Sequence, residues 1–107
     1  MDLDLSKVLF TKHALNQFYD RYRAVHHGQE LNDPEKTARK LLAKAREDDV
    51  LDSVSRVRRL IDNGFQEVSY FLKSGWRFII KDWDGQHIVL TIERDHGRFG
   101  GQGKRRR

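Results

Sequence analysis

Apolar positions recur with a helical period from Thr11 to Gly64 and with a period of two after Gly64. Leu15, Phe18, Tyr19, Tyr22 and Val25 fall on one face of a helix that Thr11 caps, its hydroxyl accepting from a free amide of the first turn, and that Gly28 stops. His13, Gln17, Asp20 and Ala24 fall opposite, with Arg21 at the shoulder. Asn32-Asp33-Pro34-Glu35 reads as a cap, a proline at the first helical position and an acid suited to the dipole. Ala38, Leu41, Leu42 and Ala45 supply the stripe of this second helix, and Asp48-Asp49 breaks it. A third helix over about 53–62 puts Val54, Val57, Leu60 and Ile61 on one side, with Arg56, Arg58 and Arg59 around the rest and Asn63-Gly64 as a left-handed exit. Ahead of all three, the apolar residues between Leu3 and Phe10 suggest a short strand over Lys7–Phe10.

Glu67–Leu72, Trp76–Asp82 and His87–Arg94 alternate as strands, punctuated by Lys73-Ser74-Gly75 and Asp84-Gly85. A two-residue turn at Asp84-Gly85 would set Phe78 opposite Thr91 and Ile80 opposite Val89, which mismatches the apolar faces. Pairing 78 with 92 and 80 with 90 matches them, so a three-residue or bulged loop is expected. That register sets Arg77 against Glu93 and Ile79 against Thr91 on the other face. The fold expected is α+β: N-terminal helices, preceded by a short strand, packed on one face of a C-terminal three- to four-stranded antiparallel sheet. The opposite face is expected to be open and to present Arg77, Ile79, Lys81, His87, Val89, Thr91 and Glu93.

The chain has 107 residues, the length of one domain, placed at residues 1–95 with a flexible basic tail at 96–107. The net charge is +5, and its location changes the picture. Residues 1–50 carry nine Lys/Arg and nine Asp/Glu, and residues 51–95 carry seven of each. The whole excess lies in Arg98, Lys104, Arg105, Arg106 and Arg107. Cysteine is absent, which excludes disulfides, thiolate metal sites and cysteine nucleophiles. No apolar run approaches about 18 residues, so no membrane span is expected. The acidic start Met1-Asp2-Leu3-Asp4 lacks the blocks of a signal peptide, so a cytoplasmic protein is expected.

Three groups carry candidate chemistry. His13, Gln17 and Arg21 line one side of the first helix at i, i+4, i+8, joining an imidazole suited to proton transfer with a guanidinium suited to an anion. A solvated helix surface offers the same spacing. Arg77, Lys81 and His87 with Thr91 alternate onto one sheet face near Tyr70, Trp76 and Trp83, a combination that suits RNA phosphates and bases; cross-strand Arg77–Glu93 pairing is the plainer role. Arg98 and Lys104–Arg107 suit polyanion binding by counterion release. The five histidines lack metal-ligand spacing, and no glycine-rich phosphate loop precedes a helix, so no metal and no cofactor are expected.

Phe10-Thr11-Lys12-His13-Ala14-Leu15-Asn16-Gln17-Phe18-Tyr19-Asp20-Arg21 resembles the opening of small bacterial proteins patterned aromatic-Thr-x-His-Ala-x-x-Arg-x-x-x-Arg, similar to the RelE/ParE/BrnT toxin superfamily. The segment His87–Arg94 resembles the terminal strand of that group. Gln17 stands where the pattern prefers Arg, and the segment 26–52 is longer than the group implies. The resemblance implies a strand, two helices and an antiparallel sheet. For activity it implies a metal-independent endoribonuclease toxin acting on RNA or at the ribosome, partnered by an antitoxin protein. His13 and Arg21 are the residues it transfers. Strand alternation adds Arg77, Lys81 and His87 to the catalytic set. The alternatives are a non-catalytic nucleic-acid or ribosome-binding module and a toxin–antitoxin interaction partner.

Overall fold

A computed structural model describes residues 3–49 and 52–94. The elements run β1(Val8–Phe10), α1(Lys12–Val25), α2(Pro34–Ala43), β2(Arg46–Glu47), α3(Ser53–Asp62), β3(Ser69–Lys73), β4(Trp76–Trp83) and β5(Gln86–Arg94), after a 3-10 turn at Leu5–Lys7. The fold is α+β, with three helices and a five-stranded mixed sheet in the order β1-β5-β4-β3-β2. This corrects the expected antiparallel sheet of three to four strands. β1 pairs parallel with β5, and β2 pairs antiparallel with β3. β2 has two residues, too few to carry a period, so the expected end of the second helix hid it. Short edge strands also leave little template for another chain to pair with.

Both C-terminal hairpins turn through two residues, Ser74-Gly75 and Asp84-Gly85, with φ of 52° and 85° in the first and 52° and 77° in the second. Positive φ at both central positions is the type I′ turn, whose twist matches that of the strands. The register conflict is resolved inside the strand and not in the loop. Ile80 pairs with Val89 and Ile79 with Thr91, which leaves Leu90 as the extra residue of a bulge. Phe78–Ile92 and Arg77–Glu93 pair as expected, whereas the expected pairing of 80 with 90 is replaced. The bulge exchanges faces: Val89 is fully buried in the core, and His87 lies on that same side. Arg77, Ile79 and Lys81 keep the other side.

The first face of the sheet carries Phe71, Phe78, Ile80, Val89 and Ile92, all buried. α1 and α2 cover it with Ala14, Phe18, Ala38 and Leu42. The inward face of α1 is centred on Ala14 and Phe18, which turns Gln17 and Arg21 partly inward. The small Ala14 side chain suits a close approach to the sheet. α3 lies on the second face, so that face is not open at its centre: Tyr70 and Ile79 there are buried. α3 buries no residue fully, although its apolar and polar positions are sharply segregated.

Candidate functional site

Among the described residues, no strand lies beside β5 beyond Val89 on the β1 side, and the start of α1 takes up its backbone groups. Thr11 N donates to Val89 O at 3.1 Å. Thr11 Oγ1 donates to the bulge carbonyl of Leu90 at 3.2 Å and accepts from Ala14 N at 3.0 Å. Gln17 Oε1 accepts from Ile92 N at 3.3 Å. Gln17 therefore serves the backbone of β5, at the position where the motif prefers Arg. His13 is exposed, and Arg21 is half-buried.

The second face is organised by aromatic rings and cations. Tyr70 is stacked between two guanidiniums, with Arg59 at 3.9 Å and Arg77 at 4.4 Å from its ring centroid. Each guanidinium also has a carboxylate: Arg59 lies 3.5 Å from Asp48, and Arg77 Nε donates to Glu93 at 2.8 Å. Asn63, at the end of α3, donates to the Tyr70 hydroxyl at 2.9 Å and fixes the helix over the ring. Further along the same face, Lys81 Nζ donates to Gln66 at 2.9 Å and lies 5.5 Å from the Trp83 ring centroid. One of the three ammonium donors is thus used by Gln66. Trp83 is 65 % exposed, and Phe65, beside Gln66, is 75 % exposed with a left-handed φ of 63°. A bulky side chain held in that conformation and in water is a local cost that packing does not explain.

At the same end of the sheet but on the first face, His87 Nδ1 lies 2.6 Å from Asp82 Oδ1. The carboxylate beside Nδ1 orients the ring and leaves Nε2 for another partner. Asp4 lies nearby and is held below the usual carboxylate range by bonds from the Ser6 hydroxyl and amide at 2.7 and 3.0 Å, with the charges of Lys7 and His87 adding to the effect. Asp52, the cap of α3, is lowered likewise by Ser55. A groove of about 660 Å³ opens between α3 and the segment Gln66–Ser69, and none of His13, Arg21, Arg77, Lys81 or His87 lines it.

The sheet divides the expected catalytic set. Arg77 and Lys81 share the second face with α3, whereas His13 and Arg21 belong to α1 on the first face and His87 sits on that first side too. Strand alternation predicts His87 on the face of Arg77, and the Leu90 bulge moves it to the other one. The tail residues Arg98, Lys104, Arg105, Arg106 and Arg107 lie outside the described residues. Asp82 was missed, although a two-residue turn at Asp84-Gly85 by itself sets it against His87. Phe65 was missed because nothing in its spacing separates it from a core residue. No helix among the described residues is long and apolar enough to cross a membrane. No protein-family model matches the chain, and neither does any curated protein or any solved structure.

Proposed function

We propose that the protein binds single-stranded RNA on the second face of its sheet, at the end formed by Lys81, Trp83 and Phe65. The observation that carries this reading is Trp83: a large exposed ring at a strand end, with the Lys81 ammonium 5.5 Å from its centroid. Bases stack on such rings whatever their sequence, and an adjacent cation meets the phosphate. Arg59 and Arg77 hold Tyr70 between them and are neutralised by Asp48 and Glu93, so their part is to stiffen the platform. The tail cations add affinity without sequence preference. Binding to a single-stranded oligonucleotide is the test. Trp83→Ala weakens it by about 1–3 kcal/mol, the worth of one stacked base. Removing residues 98–107 flattens the salt dependence by about 3.5 in log–log slope, from five cations on a single strand. Unchanged affinity in Trp83→Ala contradicts the reading.

A second reading, metal-independent RNA cleavage of the kind implied by the resemblance to the RelE/ParE/BrnT superfamily, is favoured by the His87–Asp82 pair. In it His87 Nε2 takes the proton of the ribose 2′-hydroxyl, the 2′-oxygen attacks the adjacent phosphorus, and the P–O5′ bond breaks as the 5′-oxygen takes a proton back from the imidazolium or from water. Cleavage in EDTA then falls at least ~100-fold in His87→Ala, the usual worth of a general base. Cleavage that survives His87→Ala but is lost in His13→Ala returns the role to the first helix.

A further inference from the structure

α3 is turned the wrong way round for a helix that packs on a sheet. Of its arginines, Arg59 faces inward: it stacks on Tyr70 and donates to Asp48 O at 3.1 Å. Its apolar side faces outward, with Val54 69 %, Val57 53 % and Ile61 54 % exposed. These three positions follow i, i+3, i+7, so they form one continuous stripe along the helix. Arg56 borders the stripe on one side and Arg58 on the other, since they stand about 100° to either side of Val57. Both are exposed, and neither forms a salt bridge among the described residues.

We propose that this face of α3 docks an amphipathic helix of a protein partner whose apolar stripe is flanked by carboxylates. The length fits: ten residues present about 15 Å, three turns of a partner helix. The charge selects the partner, because a flanking Asp or Glu meets Arg56 or Arg58 while a flanking Lys is repelled. A second copy of this chain is disfavoured on the same ground, since α3 against α3 brings arginine flanks together. RNA is a poor occupant because the stripe is aliphatic and offers no ring for a base.

The test uses two 18-residue helical peptides with leucines at i, i+3, i+4 and i+7, one with glutamates flanking the stripe and one with lysines. The full chain is titrated with each at low salt, followed by fluorescence anisotropy of the peptide. The glutamate peptide is expected to bind saturably and at least ~10-fold more tightly than the lysine peptide. Val57→Asp with Ile61→Asp abolishes binding, and Arg56→Glu with Arg58→Glu reverses the preference. Each variant is checked for an unchanged far-ultraviolet spectrum, which separates a lost surface from a lost fold. Equal binding of both peptides, or none, overturns the proposal. It is equally overturned if the aspartate variants abolish self-association in sedimentation or binding to phosphatidylserine vesicles instead. Trp83→Ala is expected to leave peptide binding unchanged, so the outcome stands apart from that of the RNA reading.

Discussion

Thr11 joins α1 to β5 through one side chain and one amide. Its hydroxyl accepts from Ala14 N and donates to Leu90 O, while its own N–H bonds Val89 O. Thr11→Val keeps the shape and removes both hydroxyl bonds, so a loss of about 1–2 kcal/mol is expected. The urea midpoint should fall at an unchanged slope. The capping role was legible in the sequence because it is local: a threonine immediately before a helical stripe. The donor role was not, because its partner is a bulge carbonyl 79 residues away. Gln17 repeats the lesson. It stands where the motif prefers Arg, and its carboxamide serves the amide of Ile92. His87 repeats it again, since one extra residue in β5 decides which side of the sheet the imidazole takes.

At the scale of elements, α1 and α3 look alike in sequence and behave oppositely. Both carry an apolar stripe, but Phe18 of α1 is fully buried with the Trp76 ring 4.8 Å from its own, while the stripe of α3 stays in water. Phe18→Ala is expected to cost about 3–5 kcal/mol in urea unfolding. Val57→Asp is expected to stay within about 0.5 kcal/mol, as for a surface position. The hydrophobic pattern placed both helices correctly along the chain. It could not say which face α3 would turn to the sheet, because that is decided by Tyr70 and Asp48 meeting Arg59. The start of α3 is also pH-sensitive. Asp52 accepts from Ser55 N at 2.8 Å, and this bond lowers its pKa in the folded state. A lowered folded pKa gives stability that is present above the unfolded value and lost as pH falls through the folded one. The Ser55 amide should therefore lose hydrogen-exchange protection at acid pH before the amides of α1 do, and Asp52→Asn should remove that pH response.

For the molecule as a whole, charge and sheet together decide what function the chain can support. The excess of +5 lies entirely in residues 96–107, so the described part must act through placement and not through net charge. The sheet then separates the placements. Cations and rings gather on its second face, the His87–Asp82 pair sits at the end of the first, and α3 adds an apolar face of its own. The α+β class and the three C-terminal strands were legible from periodicity. The mixed sheet was not, because β1 and β2 are too short to carry a period and pair with strands far along the chain. The most direct measurement follows from the two tryptophans, Trp76 at 4 % exposure and Trp83 at 65 %. Titrating the protein with single-stranded oligouridylate while recording acrylamide quenching should shield the accessible tryptophan saturably, and Trp83→Phe should abolish that change while tail removal only weakens it. Quenching that stays constant while the RNA is bound, or that changes equally in Trp83→Phe, would contradict the account.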